Sequence, residues 1–394
     1  MTDKVEVSSV KSLGDFLTFC RVPRLLYSGQ KGFACSLDAE RWTLHAHWLN
    51  PHYRRVHSQA FLAHQSGKVV GRIEAQMFKS IVPVAASPAQ FGCLDAIDDP
   101  NVVAALVRAA ENWLSRHGAD LIQGPFSPSC NSEVGLLVEG FQAEPMIFMP
   151  WHPSYLGRML DDLGYTKIHD LISYRYDVDE SDRSTSATIA NRPEWRKRLK
   201  FRSFRIGETS SDARIVVDIF NDGWRGNWGF VPLDLDKYEA MGCLLRHFVT
   251  QDHSFIIELD EEPVGFVIVA PNTHDLTADL GGRLFPSGAF RLIRRIMDCK
   301  FRSGRLDFFG LRQKLHRTAT GGAVTLAMIE EVRARSRKVL FEFIELGWVL
   351  DDNFGMRRAI EITGARIDKI HRIYEKRLGG VTPNTEQAAQ TLVT

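Results

Sequence analysis

The order of elements along this chain runs twice, and that repetition constrains the fold more than any single motif. Val5-Glu6-Val7 reads as a short strand, and Ser12 to Phe19 as a helix with Ser12 as N-cap and Asp15 in its first turn. Ala60 to His64 and Val69 to Ala75 flank the turn-like Gln65-Ser66-Gly67-Lys68, which predicts a hairpin. Asp99-Pro100 opens a helix carrying Val103, Leu106, Val107, Ala110, Trp113 and Leu114 at spacings of three and four. Gly118 stops it, and Leu121 to Gly124 follows as a strand. Ser154 to Leu163 is a further helix, and Ile172 to Val178 alternates as a half-buried strand.

The second series is similar. Phe204-Arg205-Ile206 reads as a strand and Asp212 to Trp224 as a helix. Ser254 to Leu259 and Val264 to Val269 flank the turn Asp260 to Pro263. Phe285 to Phe301 reads as helical, Leu306 to Gly310 as a strand, Asn353 to Ile362 as a helix and Ile370 to Tyr374 as the last strand. Leu163-Gly164-Tyr165-Thr166-Lys167 and Thr363-Gly364-Ala365-Arg366-Ile367 are matching helix–glycine–strand junctions. A unit this long, present twice, predicts two copies of one α/β domain rather than a solenoid. The 394-residue length agrees, since it exceeds what one core usually supports. The expected division is a first domain over 1–178, a polar linker over 179–199, a second domain over 200–380 and a tail over 381–394. Residues 21–57 hold many aromatics, Arg and His without a clear period.

A formal net charge of +1 gives no global field toward nucleic acid, and no nucleic-acid partner is expected. The cysteines (Cys20, Cys35, Cys93, Cys130, Cys243, Cys299) are scattered without CxxC or metal-ligand spacing, and read as thiols of a reducing compartment. The first residues contain no apolar h-region, and no run of about 18 apolar residues occurs. The cytoplasm is therefore the expected location. His45-Ala46-His47 shows no third ligand of plausible spacing, so no metal is expected.

Leu315 to Gly322 forms a loop leading into the helical run Ala323 to Ala334, and Phe341 to Asn353 forms a strand ending in a polar cluster. A helix N-terminus preceded by small residues offers free N–H groups and a positive dipole end, which is a place to hold a pyrophosphate.

This order of elements resembles the GNAT acyltransferase fold, in which the CoA pyrophosphate rests on a Q/R-x-x-G-x-G/A loop before a helix. The matching positions are His316, Arg317, Thr318, Ala319, Thr320 and Gly321, with Gly322 following; His316 replaces Gln or Arg, and Ala319 replaces the first Gly. Three longer strings resemble a subfamily of two-domain GNAT-like bacterial proteins that includes the bacterial ceramide synthases. They are Asn221 to Pro232, Glu345 to Asn353 with Met356, and Gly124-Pro125 with Asn131 to Phe141. The resemblance implies two tandem GNAT-like domains, each a mixed central sheet flanked by helices. It implies transfer of a fatty acyl group from long-chain acyl-CoA, as co-substrate, to the amine of a sphingoid base such as 3-ketosphinganine or sphinganine. A smaller amine acceptor, and a non-catalytic binding protein, are the alternatives.

Such chemistry needs a base for the amine, donors for the oxyanion and a route for the departing thiolate. Glu345, in an otherwise apolar strand, is a candidate base, with a carboxylate paired to a buried Arg as the other reading. Asp351, Asp352 and His316 are further candidates. Asn353 can orient an acyl carbonyl or cap the helix after it. The Phe354 to Thr363 helix holds no Tyr to serve as general acid. Asn221, Trp224, Asn227, Trp228 and Phe230 are the expected acceptor wall. Asn131 and Glu133 are expected to shape the acceptor side from a first domain that has lost CoA binding. Phe290, Ile293, Met297 and Phe301 share a helix face amid Arg291, Arg294, Arg295, Lys300 and Arg302. Such a face can lie on anionic lipid at the inner membrane or pack on the sheet.

Overall fold

The structure is a computed structural model and describes residues 4–79, 88–129, 132–178, 193–204, 209–230, 232–233, 254–298 and 301–379. The expected tail, most of the expected linker and Asn131 lie outside the described residues. The chain divides into two compact units. The first comprises Met1–Val138, Pro150–His169 and Arg372–Thr394, and the second Glu139–Met149 and Asp170–His371. The division therefore falls at Asp170 and Arg372, not at 178 and 200. The reason is strand pairing: Tyr374 to Arg377 pair antiparallel with Leu121–Gly124, so the last residues of the final strand belong to the first sheet. Leu199, expected in the linker, already starts the Leu199–Ser203 strand, and the short Pro193–Arg198 helix precedes it.

In the first unit Val5–Ser9, Val56–Gln65, Lys68–Phe78 and Ala89–Ala96 run antiparallel in that order, and Leu121–Gly124 lies parallel to Ala89–Ala96. The Leu13–Tyr27 helix starts on a reciprocal capping box. Ser12 accepts from the Asp15 N–H at 3.1 Å, and Asp15 accepts from the Ser12 N–H at 2.9 Å. It runs through Pro23 to Tyr27, well past Phe19, because Phe19, Val22 and Tyr27 bury one face. The Pro100–Arg116 helix buries Val103, Leu106, Val107, Ala110 and Leu114 of the stripe its spacing predicts, with Val102 added and Trp113 half-buried.

In the second unit the antiparallel order is Leu199–Ser203, Phe255–Leu259, Glu262–Pro271, Ser303–Leu311. Phe343–Leu350 then joins parallel to the last of these, and residues 171 to 177 pair antiparallel with it. Alternation along Glu262–Pro271 feeds two cores. Phe266 and Ile268 pack with Val216, Ile219 and Phe220 of the Thr209–Gly223 helix, while Val267 and Val269 pack with Val324, Ala327 and Met328 of the Ala319–Lys338 helix. Both units are thus mixed sheets flanked by helices. Of the strand expected at 204–206, residues 205 and 206 lie outside the described residues; Leu199–Ser203 is a strand and pairs with Phe255–Leu259. The helix expected over 285–301 starts later, at Gly288, and is described to Asp298; residues 299 and 300 lie outside the described residues.

Candidate active site

The second unit parts two of its parallel strands. Ser303–Leu311 and Phe343–Leu350 make only four pairs, from Ser303 with Phe343 to Leu306 with Leu346. Beyond these each strand carries an extra residue. Ile268 pairs with Phe308 and Val269 with Leu306, so Asp307 is left over on one strand. On the other, Leu346 pairs with Tyr174 and Val349 with Ile172, so Gly347 and Trp348 oppose Ser173 alone. Gly347 sits at φ 126, where a side chain is strained. Bulges bend their strands and end pairing, and two of them past the last shared pair open a split in the sheet. Asp307, Phe308, Phe309 and Trp348 stand there, each half-buried.

At the end of the first of these strands lies the expected anion cradle. Thr318 caps the 20-residue Ala319–Lys338 helix, accepting from the Gly321 N–H at 2.9 Å. The first N–H groups, at Ala319 and Thr320, have no intrahelical acceptor by construction. No acid stands in the first turn, and Arg317 is exposed beside it at φ 58. Gly321 is required by close approach, since a Cβ there would collide with the Leu315 carbonyl. Two expected members differ. His316 turns Nε2 to the Leu311 carbonyl at 3.0 Å and fastens the loop to the strand. The Gly322 N–H goes to the Thr318 carbonyl at 3.0 Å, inside the helix.

Glu345 is not a free base. It is 1% exposed, with Oε1 2.6 Å from Arg305 and Oε2 2.6 Å from Lys369. The Arg305 contact is a hydrogen bond; that to Lys369 is an ion contact off hydrogen-bond alignment. Burial alone would push the Lys369 ammonium down, but the Glu345 and Asp368 carboxylates hold it above its ordinary value. The carboxylate paired with a buried Arg is thus the reading the structure carries. Asp307 has the properties sought in Glu345. It is one-fifth exposed, and burial raises its carboxyl above the ordinary value although Arg305, 3.5 Å away, opposes this. It stands in Arg305-Leu306-Asp307-Phe308-Phe309, an acid in an apolar strand, which is the same signal that singled out Glu345.

Asn353 caps the Phe354–Ile362 helix, accepting from the Met356 N–H at 3.2 Å. Asp351 is half-buried, and its carbonyl accepts from Arg357 at 2.9 Å; Asp352 is exposed. Tyr174 places a phenol over the helix that lacks Tyr. It accepts from Arg357 Nε and donates to Glu361, both at 3.2 Å.

The expected acceptor wall is partly scaffold. Asn221 clamps the Leu233 backbone with two hydrogen bonds, of 2.8 and 3.0 Å. Trp224 stacks on Phe220 and donates to the Phe309 carbonyl at 3.2 Å, so its N–H is used at the edge of the split. Phe230 packs 6.0 Å from Phe220; Trp228 is half-buried and Asn227 exposed. Glu133 belongs to the first unit, where it pairs with Arg41 at 2.7 Å.

No family model matches the chain. Protein YghO of Escherichia coli K12 is 34% identical over 366 residues, spanning 92% of this chain and 93% of that protein. A bacterial ceramide synthase of Caulobacter vibrioides is 31% identical over 380 residues, spanning 95% of this chain and 98% of its own length. Among solved structures, a tandem GNAT protein from the clavulanic acid biosynthesis pathway covers 95% of this chain and 99% of its own, with TM-score 0.55 and 10% identity. A GCN5-related N-acetyltransferase from Sphaerobacter thermophilus covers 95% and 96%, with TM-score 0.54 and 13% identity. At such identities the structures speak to the fold alone. With the fold and two full-length relatives in agreement, the chain belongs to the family of two-domain GNAT-like acyltransferases that includes the bacterial ceramide synthase.

Proposed function

We propose that this protein moves a long-chain fatty acyl group from acyl-CoA to the amine of a sphingoid base. The observation that supports this most is the split between Ser303–Leu311 and Phe343–Leu350, which ends beside the uncapped N–H groups of the Ala319–Lys338 helix. The N–H groups of Ala319 and Thr320, with Arg317, suit a pyrophosphate, and the parted strands offer unpaired backbone to an extended thioester arm. Asp307 accepts the proton that the attacking amine must shed; the C–N bond forms, the C–S bond breaks, and the thiolate leaves to be protonated. Glu345 positions Arg305, and through it Asp307. In the first unit the corresponding place is filled. Gly92 has Phe126 packed so closely that a Cβ would collide with its carbonyl, and Ser127 takes the Cys93 N–H at 2.8 Å. This supports a first domain without CoA binding. The acceptor follows the name of the Caulobacter relative.

A long-chain substrate also favours contact with lipid. Of the expected face, Phe290, Ile293 and Met297 are exposed, at 58% or more, as is Phe285, whereas Phe301 packs against the core of the second unit. Arg283 and Arg294 flank them, and Arg291 and Arg295 are held by Asp279 at 3.0 and 2.5 Å. Among the described residues no helix is long and apolar enough to cross a membrane, so the contact proposed is peripheral, at the inner membrane.

The decisive assay incubates the protein with long-chain acyl-CoA and sphinganine or 3-ketosphinganine and measures amide and free thiol. Amide with either base is the expected result. Thiol release only with small amines moves the acceptor to that class, and absence of CoA binding by calorimetry overturns the enzymatic reading.

A further inference from the structure

Three side chains from separate segments meet in the core of the first unit. His45 ends the Asp38–His45 helix, Glu74 lies within Lys68–Phe78, and Cys93 within Ala89–Ala96. Each is 3% exposed, and one donor atom from each lies within 4.8 Å of the other two. Cys93 Sγ is 3.9 Å from His45 Nδ1 and 3.8 Å from Glu74 Oε2. A bulge brings the thiol there. Arg72 pairs with Asp95 and Glu74 with Gly92, which leaves an extra residue on the Cys93 strand, and Cys93 itself sits at φ 51. His47, two residues from His45, stays out of the cluster and stacks on Tyr53 with centroids 4.1 Å apart.

Two arginines nearby are already spent on other carboxylates. Arg72 pairs with Asp95 and Arg41 with Glu133, each at 2.7 Å. Among the described residues Glu74 makes no ion pair; its partners are the Tyr53 hydroxyl, at 3.1 Å, the Ser58 side chain and the Cys93 thiol. His45 Nε2 is buried without a hydrogen-bond partner. An acid without a counter-ion, a thiol and the imidazole Nδ1 that faces it are three donor groups gathered in one core, where a cation would satisfy them together.

We propose that His45, Glu74 and Cys93 form a site for a divalent cation of the zinc class. Nitrogen, oxygen and sulfur donors in one set suit zinc, whose bonds of about 2.0–2.3 Å hold tetrahedral ligands roughly 3.3–3.8 Å apart. The separations found here are close to that. A bound dication balances one carboxylate and one thiolate, the thiol proton passing to solvent on binding. Three protein ligands leave a fourth position open, and Tyr53 steadies Glu74 from the outer shell. The ligands lie within the core, so the cluster takes an ion rather than exposing a nucleophilic thiol. The site stands independently of the acyl-transfer reading.

The test is metal content. The full chain is expressed in zinc- or cobalt-supplemented medium, passed through gel filtration with a weak chelator, and analysed by plasma mass spectrometry. About one metal per chain is expected, and the cobalt form should show a near-ultraviolet thiolate-to-cobalt charge-transfer band. Cys93→Ser should lose that band, Tyr53→Phe should retain metal about 10-fold more weakly, and Cys20→Ser, a buried thiol outside the cluster, should change nothing. If Cys93→Ser does not fold, the wild-type protein decides. A well-folded wild type without stoichiometric metal in either medium overturns the proposal, as does a cobalt form lacking the thiolate band.

Discussion

Asp307 and Glu345 are two acids in apolar strands of one sheet, and their surroundings differ. Asp307 has one cation at 3.5 Å and partial access to solvent, whereas Glu345 has two cations at 2.6 Å and almost none. Asp307→Asn is expected to lower kcat by about 100-fold or more while leaving the KM for acyl-CoA little changed, as thiol-release kinetics will show. Because burial raises the Asp307 carboxyl, wild-type kcat should climb with pH through that raised value, and this limb should vanish in the variant. The stability sign is opposite. A raised acid binds more protons folded than unfolded between its two pKa values, so it makes the fold less stable as pH rises through that window. Asp307→Asn should therefore melt no lower than wild type at neutral pH; a lower Tm would argue for a structural role. Glu345→Gln should instead destabilise by about 3–5 kcal/mol, since Arg305 and Lys369 lose their shared counterion in a buried place. Denaturant unfolding measures it.

At the scale of elements, the Ala319–Lys338 helix and the bulged strands are coupled through a short loop. Thr318 both caps the helix and donates to the Leu315 carbonyl at 2.8 Å. Thr318→Ala should cost about 1 kcal/mol in unfolding free energy. It should also weaken CoA binding by calorimetry, because the loop that aims Arg317 loses its anchor. Unchanged binding would separate the cap from the cradle. The helix was readable only in its middle: the run expected over Ala323 to Ala334 lies inside Ala319–Lys338, whereas Thr318 to Gly322, expected as loop, hold the cap and the first turn, since small residues and glycines carry little helix signal of their own. The bulge at Asp307 was not readable, since an extra residue on one strand exists only relative to the partner strand it fails to match.

At the scale of the molecule, the Gly288–Asp298 helix keeps Phe290, Ile293 and Met297 in solvent, while Leu292 and Ile296 are half-buried. A doubled change, Ile293→Glu with Met297→Glu, should abolish sedimentation with anionic vesicles at low salt and spare turnover of a short-chain, soluble acyl-CoA. Loss of both together would mean the helix supports the fold instead. The two-unit plan was legible in the repeated element order, but its boundaries were not. Residues 372–377 look like the end of a second domain in sequence, yet Tyr374 packs in the first unit's core beside Leu136 and Leu160.

Sequence by itself determined what depends on neighbours along the chain: the Ser12 and Asn353 caps and most of the apolar stripe of Pro100–Arg116. Tertiary structure decided which charges meet. Glu345 finds Lys369 from the last strand, Asp307 is lifted by a bulge, and His45 meets Cys93 across 48 positions of sequence. The physical reason is that a side chain's charge and ligand chemistry are set by burial and by partners in space, and distances along the chain carry almost no record of either.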